Sequence, residues 1–135
     1  YVRPVFYSKV VDREGNVILD NTNPEKTRVI KETTAYLLTS AMQDVVTKGT
    51  GTAANTHDGI SVAGKTGTTS DSHDLWFVGY TPYLTAGIWL GYDQNYEMEG
   101  DLRESEHSAL WAAIMKRINA VYEFESGHRY TYCMF

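Results

Sequence analysis

Cysteine is almost absent from this chain. Cys133 is the only one in 135 residues, which excludes an internal disulfide framework and suits either a cytosolic or a bacterial extracytoplasmic setting. No apolar run approaches the ~20 residues that span a bilayer. The opening Tyr1-Val2-Arg3-Pro4 has no secretory leader pattern, so any export or anchoring signal is expected outside this chain. Positive charge is also in short supply. A formal net charge of −5 and a pI near 5.3 argue against a nucleic-acid partner, which selects a basic stripe. The histidines His57, His73, His107 and His128 lack ligand spacing, so neither a zinc site nor any other cofactor is expected.

What is present describes a globular domain. Hydrophobic residues at 42% and charged residues at 21% lie in the folded range, and the length suffices for a core. Ten tyrosines and three tryptophans favour sheet over a helical bundle. Val5–Val11 and Asn16–Leu19, separated by Asp12-Arg13-Glu14-Gly15, read as a hairpin over residues 5–19. Asp20–Thr27 is breaker-rich and reads as a loop. A helix is expected over about 33–47, with Leu38, Ala41, Met42, Val45 and Val46 on its buried face and Lys48-Gly49 closing it through a left-handed cap. Strands follow at about 60–69, 74–80 and 83–92. Their links, Ser70–His73 and Thr81-Pro82, are too short for crossovers, so the strands must be antiparallel.

Gln94–Arg103 is an acidic loop, and Glu97, Glu99, Asp101, Glu104 and Glu106 read as a solvated run rather than a cation site. A second helix is expected over about 105–122, capped by Ser105, with Leu110, Trp111, Ile114, Ile118 and Val121 inward. Residues 123–135 carry no confident element. Trp76, Phe77, Trp89 and Trp111 read as core packing, Asp71-Ser72-His73 as a polar turn, and Cys133 as an incidental thiol. The fold class is α+β, an antiparallel sheet flanked by helices.

The stretch Val62-Ala63-Gly64-Lys65-Thr66-Gly67-Thr68-Thr69 carries the chemistry. Gly59–Thr66 satisfies the phosphate-loop pattern G-x-x-x-x-G-K-[ST] letter for letter. That pattern needs a strand before it and a helix after it, so that free N–H groups converge on phosphate. Here a loop precedes it and Gly67-Thr68-Thr69-Ser70-Asp71 follows, poor material for a helix. The other reading is acyl transfer. Lys65 on a strand supplies positive potential where a carboxylate is held and an oxyanion develops. Thr66 and Thr68 offer hydroxyl donors, Gly67 leaves room for a substrate backbone, and the Thr68 N–H can serve as an oxyanion donor. Strict alternation, however, sends Thr66 to the face opposite Lys65.

Lys-Thr-Gly alone is commonplace. Its surroundings are not: Val62–Thr69, Asp74-Leu75-Trp76-Phe77-Val78-Gly79-Tyr80-Thr81-Pro82 and Gly87-Ile88-Trp89-Leu90-Gly91-Tyr92-Asp93 occur in close succession. With Thr34–Leu38, Val45–Gly51 and Lys9–Gly15 they resemble the C-terminal part of the transpeptidase domain of class A (bifunctional) penicillin-binding proteins, over about residues 4–118. The resemblance implies part of a serine D,D-transpeptidase acting on peptidoglycan stem peptides ending in D-Ala-D-Ala, and acylated by β-lactams. It implies work at the extracytoplasmic face of the bacterial membrane.

Lys65, Thr66 and Gly67 then match the family triplet. Lys65 and the Thr68 N–H take catalytic roles, and Lys65, Thr66, Gly67, Thr68 and Thr69 line the substrate. The chain holds no Ser-x-x-Lys and no Ser-x-Asn. Without a nucleophile no acyl-enzyme forms, so the serine is expected from a missing N-terminal half or a companion chain. The alternatives are a non-catalytic β-lactam sensor or wall-binding relative, a class A β-lactamase of the same fold, and, remotely, a phosphate-loop protein.

Overall fold

The computed structural model describes residues 1–94, 96–98 and 105–124. These divide into two compact units, one over Tyr1–Ala35 and one from Tyr36 onward. The expectations for Glu99, Asp101, Glu104, the 125–135 tail and Cys133 lie outside the described residues.

In the first unit, β1 (Lys9–Val11) pairs antiparallel with β2 (Val17–Asp20), with a register irregularity between Val10 and Val11. β1 begins at Lys9 rather than Val5, and the bend is built by one side chain. The Asp12 carboxylate accepts the Asn16 N–H at 2.7 Å and the Asn16 amide at 2.8 Å, and Gly15 takes a left-handed φ of 87°. Those hydrogen bonds hold the Asp12 carboxyl below its ordinary pKa, the Asn16 side chain contributing most. An Arg28–Glu32 ion pair at 2.9 Å lies at the start of the first helix.

That helix, α1, covers Glu32–Lys48. Its buried positions are Thr39 and Val46, while Leu38 and Ala41 of the expected face are exposed. The helix also ends without the expected left-handed cap. The Gly49 and Gly51 N–H groups both reach the Val45 carbonyl, at 3.2 and 3.0 Å, and only Gly15 and Gly59 have positive φ among the described glycines. A Cβ on Gly49 would stand 2.8 Å from the Val45 Cα, so glycine serves close approach here.

The second unit is organised by a three-stranded sheet in the order β3 (Ala63–Thr68), β4 (Asp74–Tyr80), β5 (Thr85–Gly91), antiparallel throughout. Residues 60–62, expected in this strand, precede β3 as loop. Helix α2 (Glu106–Val121) packs on one face of the sheet. Its buried line is His107, Ser108, Trp111, Met115 and Asn119, and the Leu110, Ile114 and Val121 expected inward are exposed. The sheet accepts a stripe rotated from the apolar one because Trp111 is pinned there. Its indole N–H donates to the Ala86 carbonyl at 2.9 Å and its ring meets Phe77 edge-on at 5.2 Å. Ser105 makes no side-chain cap, since its backbone is already helical.

Val46, Ala54, Val62, Phe77, Trp111 and Met115 form the core. Of the four aromatics expected inside, Phe77 and Trp111 are there; Trp76 and Trp89 are 46% and 40% exposed on the opposite face of the sheet.

Candidate active site

Two close contacts seat β3. At its start, Asp58 fastens the preceding loop to α2, accepting from Thr56 Oγ1 at 2.6 Å, Asn119 Nδ2 at 2.7 Å and the Ile60 N–H at 3.1 Å. Burial pushes the Asp58 carboxyl up, and these hydrogen bonds outweigh it, leaving its pKa below the ordinary value. Further along, Gly64 pairs with Gly79 across the strands. The Phe77 ring lies over both: a Cβ on Gly64 would meet Phe77 Cζ at 2.4 Å, and one on Gly79 would meet Phe77 Cε1 at 2.6 Å. Gly64 is therefore a packing glycine. Gly67 differs, since a Cβ there would meet Trp76 Cβ at an ordinary 3.5 Å.

β3 is an edge strand of the described sheet, and its register decides what that edge presents. The Thr69 N–H donates to the Asp74 carbonyl at 3.1 Å. In an antiparallel ladder hydrogen-bonded and non-hydrogen-bonded pairs alternate, so Gly67 and Lys65 direct their backbone groups at β4. Thr68, Thr66 and Gly64 direct theirs away from it, to the outer edge. The Thr68 N–H and the Thr66 carbonyl thus face the same open side.

Lys65 completes that edge. Its side chain leaves the strand on the face of Val78 and Trp76, but its Nζ bends over the rim to donate to the Thr66 carbonyl at 2.7 Å. It also comes within 3.4 Å of Thr66 Oγ1. Alternation does separate the two side chains, and the long lysine stem spans the gap. Thr66 Oγ1 in turn lies 2.8 Å from Thr50 Oγ1. Thr50 joins the site from the loop after α1, and no local pattern around it singles it out. Thr69 is arranged differently: its hydroxyl is taken up by the turn, accepting the Asp74 N–H at 2.8 Å.

The phosphate-loop reading does not survive this geometry. Gly64, Lys65 and Thr66 are consecutive residues of an extended strand, and the three-residue 3-10 turn Ser70–Ser72 follows in place of a helix. Successive strand N–H groups point to opposite sides and cannot converge on one phosphate. Among the described residues no cluster of His, Cys, Asp or Glu is arranged to hold a metal, and no helix is long and apolar enough to cross a membrane.

The model of the penicillin-binding protein transpeptidase domain matches residues 1–119. The chain belongs to the penicillin-binding protein transpeptidase family. It is 42% identical over 120 residues to penicillin-binding protein 1A of Clostridium acetobutylicum, covering 88% of this chain and 14% of that protein. Penicillin-binding protein 1A of Aquifex aeolicus is 36% identical over 124 residues, 91% of this chain and 17% of that protein. Penicillin-binding protein 1F of Bacillus subtilis is 35% identical over 140 aligned positions, 97% of this chain and 18% of that protein. The chain thus spans less than a fifth of each of these relatives. The transpeptidase assignment covers β1 through most of α2, so β3 and its edge lie well inside it.

Proposed function

We propose that this segment supplies the substrate-holding edge of a serine D,D-transpeptidase that cross-links peptidoglycan stem peptides through an acyl-enzyme and is acylated by β-lactams. The observation that carries the reading is the outer edge of β3. There a lysine ammonium, a backbone N–H and a pair of threonine hydroxyls address one open side. A peptide carboxylate needs a cation and hydroxyl donors, which Lys65, Thr66, Thr68 and the adjoining Thr50 offer. A tetrahedral intermediate needs N–H donors aimed at the developing oxyanion, and the Thr68 N–H, directed away from β4 to the outer edge, supports that role. Gly67 keeps the neighbouring face open for a substrate backbone, and Thr69 holds the strand end.

The sequence contains no Ser-x-x-Lys, so the nucleophile comes from outside these 135 residues, in the longer polypeptide or a companion chain. Cross-linking of exported stem peptides puts the work on the extracytoplasmic face of the bacterial membrane. The intact protein carrying this segment is expected to take a covalent label from a fluorescent penicillin that survives denaturation and a gel. Replacing Lys65→Ala should slow that labelling by about 100-fold or more, the scale of losing an oxyanion-type group. An unlabelled intact protein, or an unchanged rate in the lysine variant, would overturn the reading.

A further inference from the structure

The β3–β4 turn is built under backbone strain and clamped from one side. Asp71 and Ser72 both adopt left-handed conformations, φ 56° and 52°, a region that non-glycine residues enter at a cost. The turn is closed at its base by Thr69 and Asp74. The Thr69 N–H donates to the Asp74 carbonyl at 3.1 Å, and the Asp74 N–H donates to Thr69 Oγ1 at 2.8 Å. Thr69 Oγ1 then donates to Asp74 Oδ2 at 3.3 Å. The second carboxylate oxygen, Oδ1, accepts the Trp89 indole N–H from β5 at 2.8 Å.

Trp89 reaches Asp74 because Gly91 lies beneath its ring. A Cβ on Gly91 would meet Trp89 Cζ2 at 2.6 Å and the His73 carbonyl oxygen at 3.1 Å. Gly91 pairs directly with Asp74, so a glycine, an indole and a carboxylate form a strut across three strands. It ends on Thr69, the residue after the edge-facing Thr68 N–H.

From this strut we propose that Asp74 is a positioning residue for the acylation step: braced by Trp89 over Gly91, it fixes the Thr68–Thr69 end of β3 and hence the direction of the Thr68 N–H. The proposal rests on the transpeptidase reading above. A donor that serves a developing oxyanion must be held within a fraction of an ångström, and a displacement of about 1 Å costs on the order of 100-fold. Asp74 touches neither substrate nor reacting atoms, so its loss should act on the rate of acylation and not on the initial binding of the β-lactam.

The test is acylation kinetics on the intact protein carrying this segment, resolved into the dissociation constant of the initial complex and the rate constant at saturation. Asp74→Ala should lower the saturating rate constant by about 10-fold, less than the full penalty of misplacement because β4 still pairs with β3. The dissociation constant should be unmoved. Asp74→Asn, which keeps an acceptor for the indole, should recover most of the rate. Trp89→Phe, which keeps a ring over Gly91 and removes the N–H, should fall between them.

A smaller labelled fraction with an unchanged rate constant in the active molecules would assign Asp74 to folding alone and overturn the proposal. So would wild-type kinetics in Asp74→Ala while Lys65→Ala is crippled. Wild-type kinetics in Lys65→Ala would instead bring down the substrate-holding role given to the β3 edge, and this proposal with it.

Discussion

The two faces of the β3–β4–β5 sheet are made from the same strands and behave as different materials. On the α2 face, Leu75, Phe77 and Gly79 of β4 alternate into a core closed by Trp111 and Met115. There glycines serve packing, and a methyl group on Gly64 has no room. On the other face, Trp76, Val78 and Trp89 are exposed, and Gly67 and Gly87 have only ordinary neighbours where a Cβ would be. The polar chemistry gathers where the faces meet, at the edge of β3, which Lys65 crosses to reach Thr66. A buried face gives this strand its position, and an open edge gives it something to present.

The contrast breaks most visibly with paired aromatic truncations at adjacent positions. Phe77→Ala is expected to cost about 3–5 kcal/mol, the range for emptying a buried aromatic site, whereas Trp76→Ala should stay within about 1 kcal/mol because its ring is half exposed. Hydrogen-exchange protection of the β3–β5 amides in the intact protein measures both. Equal losses would mean that the Trp76 face is covered in the intact protein.

A finer break is Gly64→Ala against Gly67→Ala. The first pushes a methyl into the Phe77 ring and should lose about 1–3 kcal/mol, the usual cost of overpacking. Gly67→Ala should leave protection nearly unchanged and slow β-lactam acylation instead. If Gly64→Ala is neutral in protection, Phe77 is not locked against the glycine pair.

The smallest effect concerns acid. Among the described residues His107 is fully buried and neither ring nitrogen has a hydrogen-bond partner, and burial lowers its pKa from the ordinary 6.5. The unfolded chain therefore binds this proton first. Stability should begin to fall as pH drops through about 6.5 and continue to fall until the folded-state pKa is passed. Asp58, with its pKa depressed, adds a second loss only at lower pH, below its ordinary 3.8. Melting temperature followed from pH 7.5 to 5 should decline modestly, and His107→Met should flatten that decline. An unchanged slope in the variant would assign the effect to other groups.

Much of this was legible in the residues. The short links at Ser70–His73 and Thr81-Pro82 leave only antiparallel pairing, and the sheet order follows. The loop before Gly59 and the poor helix material after Thr66 argued against a phosphate cradle, and Lys65 and Thr66 lie in β3, although residues 60–62, expected in the same strand, lie outside it. Periodicity was less informative about helix faces. In α2 the expected face of Leu110, Trp111, Ile114, Ile118 and Val121 meets the core only at Trp111 and the partly buried Ile118. The contacts of Trp111 with Ala86 and Phe77 and of Asn119 with Asp58 fix the side that faces the sheet. Thr50 and Asp74 were silent because their roles depend on partners 16 and 15 residues away in the chain, Thr66 and Trp89.

By itself the sequence determined the order of the elements, the antiparallel sheet, the family and the absence of a Ser-x-x-Lys pattern from these residues. Those properties follow from local spacing, turn chemistry and residue identity. The tertiary structure decided which of two neighbouring aromatics is core, which stripe of α2 meets the sheet, and how Lys65 and Thr66 meet across an edge. Each of those outcomes depends on which side a helix packs and on strand register. Both are set by contacts between residues far apart in the chain, where no local pattern can record them.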